Sequence, residues 1–81
     1  MIINLEIRSV LLEILRDLRP KVDFESCQTL IDDGVLDSFD IAAIIADVSE
    51  EFDINITANE IVPENFNSLS ALCALVERLM D

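Results

Sequence analysis

Apolar side chains recur along this chain at helical rather than strand spacing. Leu5, Val10, Leu11, Leu12, Ile14, Leu15 and Leu18 follow the helical period, and most fit one broad face, which predicts a first helix over Asn4–Leu18. Glu13 and Asp17 fall on its wetter side. Pro20 ends the segment, because a proline cannot continue the backbone ladder. Arg16, Arg19 and Lys21 gather at the C-terminal end, where the helix dipole favours positive charge, and the dipole is sufficient reason for the cluster.

A long connection follows over residues 21–37. Connections of this length are uncommon in small domains unless functional or anchored, and Phe24, Leu30, Ile31, Val35 and Leu36 are the expected anchors. Gly34, the only glycine, lies between Asp32-Asp33 and Val35-Leu36, where a turn with positive φ would need it. The second helix starts at Asp37 or Ser38 and runs to about Phe52. Asp37 is a good N-cap, and Asp40 three residues later makes an approximate capping box. Ile41, Ile45, Val48 and Phe52 form the expected buried stripe, bordered by Ile44 and Ala42. Asp40, Ala43, Asp47 and Glu50 or Glu51 fall on the opposite side, which is acidic along its length.

Thr57-Ala58-Asn59-Glu60 has the form of a T-x-x-E capping box, predicting a short third helix that starts at Ala58 and stops before Pro63. Phe66 reads as a loop anchor. Asn67 or Ser68 then caps a final helix whose buried face holds Leu69, Leu72, Cys73, Val76 and Leu79. The expected fold is all-α: a four-helix bundle of three main helices and one short one, with a long loop between the first two, in a single domain 1–81.

Composition narrows the picture. Of the 81 residues, 52% are apolar but only 5% aromatic, which suits helix-on-helix packing. One Gly and two Pro are too few for the turns of a small all-β domain. Two cysteines are too few for a disulfide scaffold and point to a reducing, cytoplasmic setting, with Cys73 a small core residue. The longest apolar run, residues 41–46, falls far short of the roughly 20 residues that span a bilayer, so no membrane insertion is expected. The net charge of −12 argues against a nucleic-acid partner, which requires Lys and Arg to neutralise phosphates. It speeds encounter with basic protein surfaces and discourages self-association, so a monomer is expected.

Ser38 carries the candidate chemistry. Because Asp37 can cap, Ser38 is left in the first turn with its hydroxyl free, beside unpaired N–H groups and the positive end of the dipole, a place suited to a phosphodiester. A catalytic serine needs a base, and this chain has no histidine and no basic residue between Val22 and Glu77. Ser38 therefore reads as a residue that other proteins modify, and no catalytic residue is assigned. Phe39 points away from the buried side, to be covered by the loop or kept for a partner. Asp47 faces Glu50 and Glu51 at i+3 and i+4, and both glutamates sit where the dipole disfavours them. A basic partner surface would explain that repeated small cost.

Gly34-Val35-Leu36-Asp37-Ser38-Phe39, the helix after it and Glu50-Glu51-Phe52-Asp53-Ile54 resemble an acyl carrier protein, and the likeness extends over nearly the whole chain. The resemblance implies that Ser38, preceded by the motif aspartate Asp37, receives 4′-phosphopantetheine from coenzyme A through a phosphopantetheinyl transferase. The thiol of that arm would carry acyl or aminoacyl groups as thioesters between a loading ligase and downstream transferases with basic docking faces. Phe39, Asp40, Ala43, Asp47, Glu50 and Glu51 would form the docking surface. Phe39 stands where fatty-acid carriers usually have leucine. That departure is closer to free-standing D-alanyl carriers and to discrete carriers of peptide- or polyketide-type pathways, and it leaves the cargo open. A small acidic adaptor with Ser38 as a simple cap is the alternative of a different class. A Ca²⁺ loop at Asp32-Asp33-Gly34 and Asp37 is set aside, because the required spacing and the closing glutamate are absent, so no metal is expected.

Overall fold

The long first helix, α1 (Asn4–Leu18), is followed by α2 (Ser38–Phe52), a 3₁₀ turn over Ala58–Glu60, the single-turn α3 (Pro63–Phe66) and α4 (Leu69–Met80). The computed structural model describes residues 4–80, so residues 1–3 and 81 of the expected domain lie outside the described residues. Among the described residues the chain is all-helical, and no helix is long and apolar enough to cross a membrane. The long loop separates α1 from α2, as expected. α4 packs on α1 and α3, and α1 packs on α2.

Each helix contributes one face to a shared core. α1 buries Ile7, Leu11 and Leu15 at successive i+4 steps, and α4 buries Leu69, Leu72, Cys73, Leu75 and Val76. Burial raises the Cys73 thiol above its ordinary pKa, as befits a core residue. Leu5, expected near the buried face, is 71% exposed instead. The loop is held down by Phe24, Leu30 and Leu36, all buried, while Ile31 and Val35 are half-buried. Gly34 adopts φ +72°, the left-handed conformation its neighbours require. Its N–H reaches Ile31 O at 3.0 Å, and Leu36 N–H reaches Leu30 O at 2.9 Å.

Asn67 fastens this loop to the far side of the bundle. Its side-chain oxygen accepts from Ile31 N–H at 2.9 Å and Asp32 N–H at 3.1 Å, and its backbone oxygen accepts from Leu30 N–H at 2.9 Å. Asn67 is thus spent on the loop, and Ser68 caps α4 by accepting from Ala71 N–H at 3.0 Å.

Two expected elements are corrected. The buried stripe of α2 runs through Asp40, Ile44, Val48 and Phe52, whereas Ile41 and Ile45 are only half-buried. The helix is rotated because Asp40 turns inward to Arg19, just past the end of α1. The short helix after Thr57 is split in two. Thr57 donates its N–H and hydroxyl to the Glu60 carboxylate, which holds that group ionised below its ordinary pKa, but the helix survives for a single 3₁₀ turn. Pro63, expected only as a stop, also opens α3, because the first turn of a helix needs no N–H from it. Phe66 is buried as expected, but as the last residue of α3 rather than in a loop.

Candidate functional site

The start of α2 is built by reciprocal hydrogen bonds. Asp37, in extended backbone conformation, accepts the Asp40 N–H at 3.0 Å, and Asp40 Oδ2 accepts the Asp37 N–H at 3.1 Å. This is the capping box expected from sequence, with an aspartate in the position usually held by Glu. The cap leaves Ser38 with nothing to do structurally. It is exposed, and among the described residues its hydroxyl has no hydrogen-bond partner.

Arg19, just past the end of α1, closes the arrangement from the other side. Its guanidinium forks onto Asp40, with Nε to Oδ1 at 3.1 Å and Nη2 to Oδ2 at 2.7 Å, and lies 3.9 Å from Asp37 Oδ2. Hydrogen bonds from Arg19, then from the Asp37 backbone, hold the Asp40 carboxyl below its ordinary pKa against the opposing effect of burial. The same contact makes Arg19 a stronger cation still, so it supplies no base for Ser38. Asp40 is therefore removed from the exposed acidic face. Its side chain is 4% exposed, because a buried carboxylate with three charge-assisted donors is stable where an unpaired one is not.

An apolar groove of about 450 Å³ opens beside Ser38, between α2, the loop and the segment before α3. Ser38 and Asp37 line it together with Ile31, Leu36, Ile41, Ala42, Ile45 and Ile61. The rotation of α2 that buries Asp40 is what leaves Ile41 and Ile45 to line it. A smaller hollow of about 110 Å³ continues it past Ile61 to Val62, Pro63 and Phe66.

The other expected docking residues divide. Phe39 is 78% exposed on the first turn, and Ala43 is half-buried. Asp47, Glu50 and Glu51 are exposed and line an open cleft of about 310 Å³ with Val10, Glu13, Ile14 and Asp17 of α1. Sequence pattern placed Glu13 and Asp17 in water but did not reveal that they oppose Asp47. The cations of α1 and of the residue after it are turned elsewhere: Arg8 and Arg16 face Glu25, and Arg19 faces Asp40. Among the described residues, no group of acidic or cysteine side chains is arranged to hold a metal ion.

The sequence matches no model of a known protein family, and no curated protein matches it either.

Proposed function

We propose that this chain is an acyl carrier protein, modified on Ser38 and docked by enzymes that load and unload it. What carries the reading is the pairing of an unpartnered, exposed Ser38 hydroxyl in the first turn of α2 with an apolar groove that begins at the same residue. The residues present fit a 4′-phosphopantetheine group. Ser38 offers the attachment oxygen, and the N–H groups of Ser38 and Phe39, which no carbonyl of the helix can reach, favour a phosphodiester. The arm supplies a thiol on which a thioester forms. The chain's own part is to present that thiol and shelter what it holds.

Of the cargoes open from sequence, a hydrocarbon acyl chain suits the groove best, because its lining is aliphatic apart from Asp37 and Ser38. A D-alanyl group has an ammonium that would gain nothing from those walls. Phe39, Ala43, Asp47, Glu50 and Glu51 remain as the docking face for the phosphopantetheinyl transferase, the loading ligase and downstream transferases.

The test is incubation of the unmodified protein with coenzyme A and a broad-specificity phosphopantetheinyl transferase, followed by intact mass. Wild type gains one phosphopantetheinyl group and Ser38→Ala gains none, while both unfold at the same denaturant concentration because the hydroxyl bonds nothing. No gain on folded wild type, with the transferase active on a control carrier, would leave a small acidic adaptor as the better reading.

A further inference from the structure

We propose that Arg19 is a positioning residue for the modification of Ser38, acting through Asp40; the inference rests on the carrier reading. Ser38 lies between two carboxylates, Asp37 before it and Asp40 two residues after. In the transfer step the Ser38 oxygen attacks the β-phosphorus of coenzyme A. The new O–P bond forms as the bond to the departing adenosine 3′,5′-bisphosphate breaks, and the hydroxyl proton passes to a base of the transferase. Two uncompensated carboxylates flanking that oxygen would repel the incoming pyrophosphate. Arg19 is the cation that reaches both, at 2.7 Å from Asp40 and 3.9 Å from Asp37.

The second part of the argument is geometric. Asp40 Oδ2 accepts from Arg19 and from Asp37 N–H together. Without the guanidinium, Asp40 would be a buried, underpaired carboxylate and would swing toward water. That movement breaks the bond to Asp37 N–H and with it half of the capping box, so the first helical turn, on which Ser38 rides, loses its fixed orientation. Arg19 comes from the far end of the loop, so it also ties the position of Ser38 to the end of α1. Its guanidinium fork is matched to a carboxylate in a way an ammonium is not.

The experiment measures phosphopantetheinyl transfer by intact mass over time, at a temperature where circular dichroism shows every variant folded. Arg19→Gln should lower kcat about tenfold, as expected for a misplaced reacting group. Its KM should change much less than its kcat, because Asp47, Glu50 and Glu51, the acidic part of the docking face, lie two turns or more away and are untouched. Arg19→Lys should recover part of the rate. The double variant Arg19→Gln/Asp40→Asn, which removes the stranded charge and keeps an acceptor for Asp37 N–H, should be faster than Arg19→Gln alone. A folded Arg19→Gln with wild-type kcat, or a double variant no faster than the single one, overturns the role of Arg19 while leaving Ser38 as the attachment site. A wild-type protein that gains no mass overturns the carrier reading, and this inference with it.

Discussion

The two ends of α2 use the same residue types to opposite effect. At its start, Asp37 and Asp40 are each hydrogen-bonded and share Arg19, and Asp40 is among the most buried polar residues of the molecule. Toward its end, Asp47, Glu50 and Glu51 face Glu13 and Asp17 across an open cleft with no cation in its lining. Even the C-cap runs against local preference: Asp53 adopts φ 52°, ψ 50°, with its charge at the negative end of the helix dipole. Satisfied carboxylates fix a backbone, whereas unsatisfied ones make the local potential more negative. The first end is thus held by its own hydrogen bonds, whereas the second carries negative charge that its neighbours do not neutralise.

The contrast is broken most directly at Asp40. Asp40→Ala should destabilise the protein by about 2–3 kcal/mol in urea denaturation, since it removes charge-assisted bonds from a buried site. Asp47→Ala, at the exposed end, should stay within about 0.5 kcal/mol of wild type. Equal effects at the two positions would erase the distinction.

Acid separates the two ends in a second way. Because the folded state depresses the Asp40 pKa, the stability it contributes is fully present above the unfolded-chain value of about 3.9 and is lost as pH falls through the lower folded value. The difference in denaturation midpoint between wild type and Asp40→Asn should therefore be constant near neutrality and shrink below about pH 4. A gap that persists undiminished at the lowest pH where both fold would mean that Arg19 does not hold an ionised Asp40.

What could be foreseen follows the range over which each interaction acts. The capping box of Asp37 and Asp40, the positive φ of Gly34 and the bounds of α1 and α2 depend on residues a few positions apart, and local spacing reveals them. The Arg19–Asp40 pair joins residues 21 apart across a loop, and no periodicity encodes where two helices cross. Assigning Asp40 to water, as charged residues usually are, also put the α2 stripe one position away, on Ile41 and Ile45 instead of Ile44. The groove beside Ser38 was invisible for that reason, since those two side chains are its walls. Asn67 was legible as a cap but not as a clamp on Ile31 and Asp32, for which only the folded loop supplies the donors.

A smaller change sharpens the picture at the far end. Asp53 is the one non-glycine residue with positive φ among the described residues, and its N–H caps the helix through Ser49 O. Asp53→Gly should raise stability by roughly 1 kcal/mol, because glycine adopts this conformation without a Cβ penalty and the change removes a negative charge from the negative end of the helix. A loss of stability would show that the Asp53 side chain has a role its geometry does not reveal.

The smallest effect on folding should accompany a clear effect on binding, at Asp47 and Glu51. Charge reversal to lysine places cations near the C-terminal end of α2 and opposite Glu13 and Asp17, so each variant should gain a few tenths of a kcal/mol in stability. The same variants should bind a phosphopantetheinyl transferase more weakly, and their affinity should fall less steeply with added salt than that of wild type. A residue retained for folding would change both quantities in the same direction, whereas a docking residue changes them in opposite directions. Normal binding by Asp47→Lys and Glu51→Lys at physiological salt would therefore remove this end of α2 from the docking face and leave its acidity as a matter of solubility.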